Sequence, residues 1–491
     1  MKKIVIIGAG PAGITAGYEL AKQKKKYEVT IIEAENIIGG LAKTITHAEN
    51  YMDLGGHRFY SKNKRVNDWW RKILPLQSKP AVDYYKTNRS ISLPFKGPNP
   101  YTNDKVLLKR KFFARIFDKQ KFYSYPPKFR LKSAVKSGLG NILLCAFDCF
   151  GKIFKKKEEK SLEDYYINRY GRFLYKIFFE SYAEKVWGKH PSLLSAKIVL
   201  PKIQLVEKCK SSDFFYPKYG SGQMWETAAE DFVSFGGKLL KNARVVELRF
   251  QENKITYVGY KINEKLHFIK ADYLISTMPL GDLVSAFNTE VPENIRKTAK
   301  GLAYRDIIVV GIMVKQLKVE NKTNISTLNN LIPDNCLYIH DKGIKLAKLQ
   351  ILNNWSPYLM KRNRHNHNNV WLELEYFCSS DDADWLLNKQ HWRQVAVADL
   401  LNSGIIRNKK DVITYCVKKV QKAYPLNNIT HSEMNELQEY LTCIENLFCI
   451  GRNGRHRCCN MDQTMMSSFA AVDCINGKRT LKHQIWPADN N

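Results

Sequence analysis

The chain has 491 residues, of which 44% are hydrophobic and 25% charged, with a formal net charge of +31. This composition excludes collagen-like, coiled-coil and largely disordered classes, and the length leaves room for more than one core. The charge favours anionic partners, but the basic residues fall in short scattered runs: Lys24–Lys26, Lys109–Lys111, Lys155–Lys157 and Lys409–Lys410. No recognition helix, zinc finger or single-strand-binding motif accompanies them, so they read as a solvated surface. No specific nucleic-acid partner is expected, and peripheral contact with an anionic membrane stays open.

The start, Met1-Lys2-Lys3, runs through Ile4–Ile7 straight into a glycine motif without a cleavage site, so no secretory leader is expected. Eleven cysteines, an odd number, then read as reduced thiols in a cytoplasmic protein. Cys145-x-x-x-Cys149 and Cys458-Cys459 lack metal-site spacing, and no metal is expected. The longest apolar run, Asn141 to Phe154, is broken by Asp148 and Gly151 and is too short to span a membrane.

Residues 4–7 are apolar and β-branched, as in a buried parallel strand. Gly8-Ala9-Gly10-Pro11-Ala12-Gly13 follows, then a helical stretch from Ile14 to Lys22. A second strand, Val29 to Ile32, ends at Glu33, 20 residues beyond Gly13. This is a dinucleotide fingerprint in its required context. One glycine makes the tight turn, one lets a pyrophosphate approach, one lets helix and strand pack, and the acid meets a ribose hydroxyl. Beyond Glu33 and Ala34, the pair Gly39-Gly40 before Leu41 offers a second bare-backbone surface. A long, extended FAD needs such a surface, whereas a simple NAD fold does not.

From here the sequence resembles the FAD-binding amine-oxidase-like superfamily, which includes protoporphyrinogen oxidases, carotenoid desaturases, monoamine oxidases and UDP-galactopyranose mutases. Asp53-Leu54-Gly55-Gly56-His57-Arg58-Phe59 is similar to the segment that passes beside the flavin. Phe178 to Gly188 is similar to the Tyr-x-Glu-Lys-x-Trp segment of the mutases, and Phe215 to Glu226 to their Tyr-Pro-x-x-Gly-x-Gly-x-x-Trp segment. Leu274 to Leu280 resembles the strand leaving the FAD domain. Phe448 to Gly454, His456 to Asn460 and Met461-Asp462-Gln463 resemble the closing strand-turn-helix. The chain departs from the pattern at Cys458 and Cys459, where relatives carry an aromatic residue.

The resemblance implies an α/β fold: a Rossmann-type, glutathione-reductase-like FAD-binding domain with an interleaved α+β substrate domain. FAD-binding pieces fall at 1–80, 225–300 and 436–480, with a tail at 481–491. A mainly helical insert at 81–224 includes a helical stretch from Leu162 to Lys185. The insert at 301–435 carries strands Ile307–Val314 and Val370–Phe377 and a helix from Trp385 to Asn402. In the polar run from Lys361 to Asn369, His365-x-His367 has no third histidine or carboxylate within the loop and reads as solvated.

The implied FAD contacts are Gly8, Gly10, Pro11, Ala12, Gly13, Glu33, Ala34, Gly39, Gly40 and Leu41, then Gly55, Gly56 and Val245, and finally Gly451, Arg452, Met461 and Asp462. No attachment motif is present, so FAD is expected to be non-covalent. His57 and Arg58 are candidates to tune the flavin's charge, with an interdomain ion pair as the competing use of Arg58. Arg305 is a candidate to grip an anionic substrate group, with an ion pair to Asp306 or another acid as its competing use. Tyr182, Trp187, Tyr216, Trp225, Trp355 and Tyr376 are candidates to stack on a uracil or sugar face, or else pack cores. Three functions stay open. One is an FAD-dependent oxidoreductase in sugar-nucleotide or glycan-precursor metabolism. Another is a mutase using reduced FAD for ring contraction without net redox change. The last is a non-catalytic flavoprotein scaffold in polysaccharide assembly.

Overall fold

The computed structural model describes residues 1–125, 158–196, 213–361, 368–426, 428–478 and 481–486. Asn141 to Phe154, Cys145-x-x-x-Cys149, Lys155–Lys157 and His365-x-His367 lie outside the described residues.

A five-stranded parallel sheet carries the glycine motif. Its order is Leu447–Cys449, Tyr273–Ser276, Lys2–Ile7, Tyr27–Ile32, Lys238–Leu240. Both faces are covered, which is why Ile4–Ile7 is apolar throughout. One face packs the helix Pro11–Ala21, flanked by Gly222–Ser234 and Met461–Ile475. The close fit depends on small residues. A Cβ at position 13 would stand 1.9 Å from the Gly8 carbonyl oxygen, and one at position 17 would stand 2.7 Å from Ile31 Cδ1. The other face packs Leu280, Leu283 and Ile295 with Leu437 and Leu441. An antiparallel three-stranded sheet, Arg244–Gln251, Lys254–Ile262 and Lys265–Lys270, flanks this layer.

A seven-stranded sheet forms the second layer. Its order is Val412–Pro425, Tyr304–Val314, Val370–Cys378, Lys348–Ile351, Cys336–Ile339, Ala114–Asp118, Lys121–Ser124. Its pairings are antiparallel except that of Cys336–Ile339 with Ala114–Asp118. Strand alternation decides what each face does. Ile308, Val310, Ile312, Leu372, Leu374 and Tyr376 pack with Trp392, Ala396 and Leu400 of the helix Lys389–Asn402. The opposite face turns toward the glycine-motif layer.

Three readings need correction. The stretch Leu162 to Lys185 is three helices, Leu162–Tyr170, Arg172–Phe178 and Glu180–Trp187, because Gly171 at φ 86° breaks the first from the second. The helix from Trp385 restarts at Lys389, where the Asn388 side chain caps it. Segment 81–224 also contributes strands, two to the large sheet and the pair Leu107–Lys111 with Asp213–Pro217. Its basic and aromatic alternation hid them. Among the described residues no helix is long and apolar enough to cross a membrane.

Candidate functional site

The first strand ends at Gly8, whose φ of 96° turns the chain. Gly10 caps the following helix without a side chain, and Pro11 has no N–H, so the first backbone donors have no intrahelical or side-chain partner. Gly40, with φ of 54°, lies opposite: a Cβ built on Gly10 would stand 3.7 Å from Gly40 Cα. Two bare backbones thus flank a helix N-terminus, the environment a pyrophosphate requires. Glu33 accepts the Ala9 N–H at 2.7 Å and the Glu35 N–H at 2.9 Å, which fixes its carboxylate at the end of the second strand beside Ala34. Val245 is the second residue of the flanking strand Arg244–Gln251, two residues past Ala243, whose N–H donates to the Glu33 carbonyl.

Gly451, at φ 80°, brings the closing segment onto the first helix, where its own Cβ would stand 3.0 Å from that of Ala12. Arg452 is directed at backbone carbonyls, Ala423 at 3.0 Å and Cys459 at 2.9 Å, and so pins the closing turn to the large sheet. Met461 and Asp462 open the last helix, and Asp462 accepts from Ser61 Oγ at 3.0 Å.

A cavity of about 590 Å³ lies between the layers. Its walls are Leu41, Gly55 to Arg58, the helices around Phe178 to Trp187, the inner face of the large sheet, and Arg452 with Asn460 to Asp462. Gly55 and Gly56 lie against that sheet face, where a Cβ at 56 would be 2.7 Å from Gln350 Nε2 and 2.9 Å from Trp355. Aromatic faces dominate the far side: Tyr125 stacks on Tyr338 at 4.1 Å and Tyr182 on His340 at 4.8 Å. Burial, reinforced by Lys185, pushes His340 down to about 3, so it is neutral.

The structure brings His57, Arg58, Arg305, Tyr182, Trp187 and Trp355 to this one cavity. Arg58 stacks over Phe112 at 4.0 Å rather than facing an acid. Arg305 donates to the Val186 carbonyl at 3.1 Å and Ser379 Oγ at 3.0 Å, and its nearest acid is Asp382 at 3.9 Å. Asp306, one residue on, points to the other sheet face and accepts from the Ser380 and Lys422 N–H groups. Burial lowers the pKa of Arg305, against the pull of Asp382.

Three predicted substrate residues do not reach the cavity. Tyr216 is buried and donates to Asp53 at 2.7 Å. Trp225 is buried between Phe59 and Trp69, in the core beneath the first helix. Tyr376 sits on the helix-covered face of its strand, against Trp392. All three belong to cores. Sequence reasoning missed Lys348, Gln350 and Glu375, which line the cavity, with Glu373 behind them. Lys348 Nζ is 2.6 Å from Glu375 Oε1. Their signal was Trp371-Leu-Glu-Leu-Glu-Tyr376, two acids at spacing two inside an apolar strand.

A family model for flavin containing amine oxidoreductases matches residues 11–391. The structure of reduced UDP-galactopyranose mutase superposes with a TM-score of 0.75 at 17% identity, covering 99% of this chain and 98% of the other. An oxidoreductase from Methanosarcina mazei gives 0.59 at 12% identity, covering 97% and 100%. Putrescine oxidase gives 0.58 at 13% identity, covering 97% and 99%. At these identities the likeness is one of fold. L-amino acid oxidase Cdc18 of Crotalus durissus cumanensis is 38% identical over 72 residues, 15% of this chain and only 14% of the oxidase.

Proposed function

This chain belongs to the flavin-containing amine oxidoreductase family and is an FAD-dependent enzyme; from that premise we propose that its substrate is an anionic organic molecule, a sugar nucleotide or glycan precursor. FAD, when bound, supplies two-electron redox chemistry. On this reading Gly8, Gly10 and Gly13 with Gly39-Gly40 hold the pyrophosphate, Glu33 a ribose, and the Gly451 turn with the Met461 helix the remaining chain. His57 lies beside the ring.

The observation that carries the substrate class is the charge of the cavity wall. The lining includes four cations, Arg58, Lys62, Arg305 and Arg452, and one acid, Asp462, besides the ion pair of Lys348 with Glu375. A surplus of cations in a low-dielectric cleft attracts an anion and repels the ammonium form of an amine. Arg305 keeps Nη2 for a phosphate or carboxylate oxygen while Nε and Nη1 hold the Val186 carbonyl and Ser379 Oγ. The aromatic walls supply faces for a base or sugar ring. The overall likeness to UDP-galactopyranose mutase favours a second reading within the same class, isomerisation on reduced FAD without net redox change. The eight cysteines of the described residues are all free, which supports a cytoplasmic site of action.

Calorimetric titration of the FAD-loaded protein tests this, with UDP, UDP-galactose, putrescine and an L-amino acid, each against oxidised and dithionite-reduced enzyme. The reading expects the uridine nucleotides to bind and the amines not to. Binding of UDP-galactose confined to the reduced form selects the mutase reading. Bleaching of the flavin by putrescine or the amino acid, with no nucleotide binding, overturns the substrate class.

A further inference from the structure

The cavity floor holds more buried charge than anion binding explains. Strands Lys348–Ile351 and Val370–Cys378 pair with Lys348 opposite Glu375 and Gln350 opposite Glu373. Period two puts all four side chains on one sheet face. Glu373, Glu375 and Gln350 are 0% exposed. Glu375 Oε1 receives the Lys348 ammonium at 2.6 Å and the Gln350 amide at 3.0 Å. Gln350 Oε1 is buried without a hydrogen-bond partner, on a residue that lines the cavity. The floor is shaped around this group, for a Cβ at Gly55 would stand 3.6 Å from Glu375 Oε1.

One ammonium faces two carboxyl groups here. Around them stand Asp53 and Tyr216, Tyr182 and Tyr424 on the cavity walls, and Cys336 and Cys416 on neighbouring strands, none of them a cation, together with His57, whose Cε1 a Cβ at Gly55 would approach to 3.8 Å. An unpaired buried ion costs far more than protonating it. Lys348 therefore holds Glu375 ionised. Glu373 is buried and faces Glu375 and Asp53, and burial first, then the neighbouring Glu375, raises its pKa well above the usual 4.5.

We propose that Glu375 is the proton acceptor of this cavity, taking a proton from an O–H or N–H group of the bound substrate, with Lys348, Gln350 and Glu373 as its positioning residues. In that step the substrate O–H or N–H bond breaks and a carboxyl O–H bond forms on Glu375. The electron pair stays on the substrate heteroatom, whose negative charge the Lys348 ammonium then offsets. Gln350 Oε1 accepts from a second substrate donor. The proposal rests on the preceding reading only in placing the substrate in this cavity.

Infrared spectra of the FAD-loaded protein test it at neutral pH without a substrate, with oxidised-state bands read as the difference between variant and wild type and the gained band as dithionite-reduced minus oxidised. Charge added to the cavity on reduction should draw a proton onto Glu375. The wild type should show one protonated-carboxyl band in the oxidised state, lost in Glu373→Gln. It should gain a second on reduction, lost in Glu375→Gln and already present in oxidised Lys348→Met. If Glu375→Gln fails to fold, the double variant Lys348→Met/Glu375→Gln replaces the ion pair by a neutral one and should likewise lack the gained band. Absence of a protonated carboxyl in the oxidised wild type, absence of any gained band on reduction, or a gained band that survives in either Glu375 variant overturns the proposal. Failure of UDP to bind would instead overturn the anionic-substrate reading and leave these spectra to decide this one.

Discussion

Replacing Asp53 by asparagine perturbs the joint that delivers Leu54 to Arg58 into the cavity. Asp53 is buried and accepts three donors: Thr44 Oγ1 at 2.5 Å, Tyr216 OH at 2.7 Å and the Ser221 N–H at 3.0 Å. Burial pushes its pKa from 3.8 up to about 6, with the donors pulling the other way. The folded state therefore binds this proton more tightly than the unfolded chain. The stability it contributes is present in full below pH 3.8 and is lost as pH rises through 6. The shift corresponds to about 3 kcal/mol. Asparagine does not titrate, and its amide also turns a donor toward a donor, a constant cost of about 1–3 kcal/mol. Urea unfolding followed by tryptophan fluorescence from pH 4 to pH 7.5 reads both effects. Over this window the stability of the wild type minus that of Asp53→Asn should fall with rising pH by about 2.4 kcal/mol. A difference that stays flat or grows with pH would refute the reasoning, since growth would mean that the donors outweigh burial.

Gly10→Val should yield colourless protein, because its branches fill the gap toward Gly40, which begins 3.7 Å from the new Cβ; a full flavin spectrum in that variant would remove the pyrophosphate assignment. Glu33→Ala should weaken FAD by about 1.5–3 kcal/mol, the scale of a hydrogen bond to a charged group, read by titrating apoprotein with FAD. His57→Ala should keep FAD and lower its potential by about 30 mV for every 1.4 kcal/mol of lost stabilisation of the reduced ring; dye equilibration giving the parent potential, with a lower melting temperature, would make His57 a packing residue. Trp225→Ala should cost about 3–5 kcal/mol of stability while leaving UDP affinity unchanged below its melting point; a selective loss of UDP affinity would return Trp225 to the substrate site.

The glycine motif was legible in the sequence because its requirements are local. Gly8 must turn, Gly13 must let helix meet strand, and Glu33 must end the next strand, all within one βαβ unit whose spacing backbone geometry dictates. The same holds for Gly451 and the helix beginning at Met461. His57, Arg58, Tyr182, Trp187 and Arg305 stand far apart in the sequence, and the fold lines one cavity with all five.

The rest depended on which face of an element met which partner, and that is a tertiary decision. Tyr376 and Glu375 are adjacent, yet strand alternation against the helix Lys389–Asn402 sends the tyrosine into a core and the glutamate into the cavity. Arg305 and Asp306 separate in the same way, so neighbours in sequence do not pair. Tyr216 and Trp225 carry the aromatic signature of a stacking site, but Asp53 and Trp69 claim them. Lys348 and Glu375 lie 27 residues apart. Only the antiparallel register of their strands makes them an ion pair, because the sequence specifies two amphipathic strands while the sheet order decides that both turn inward.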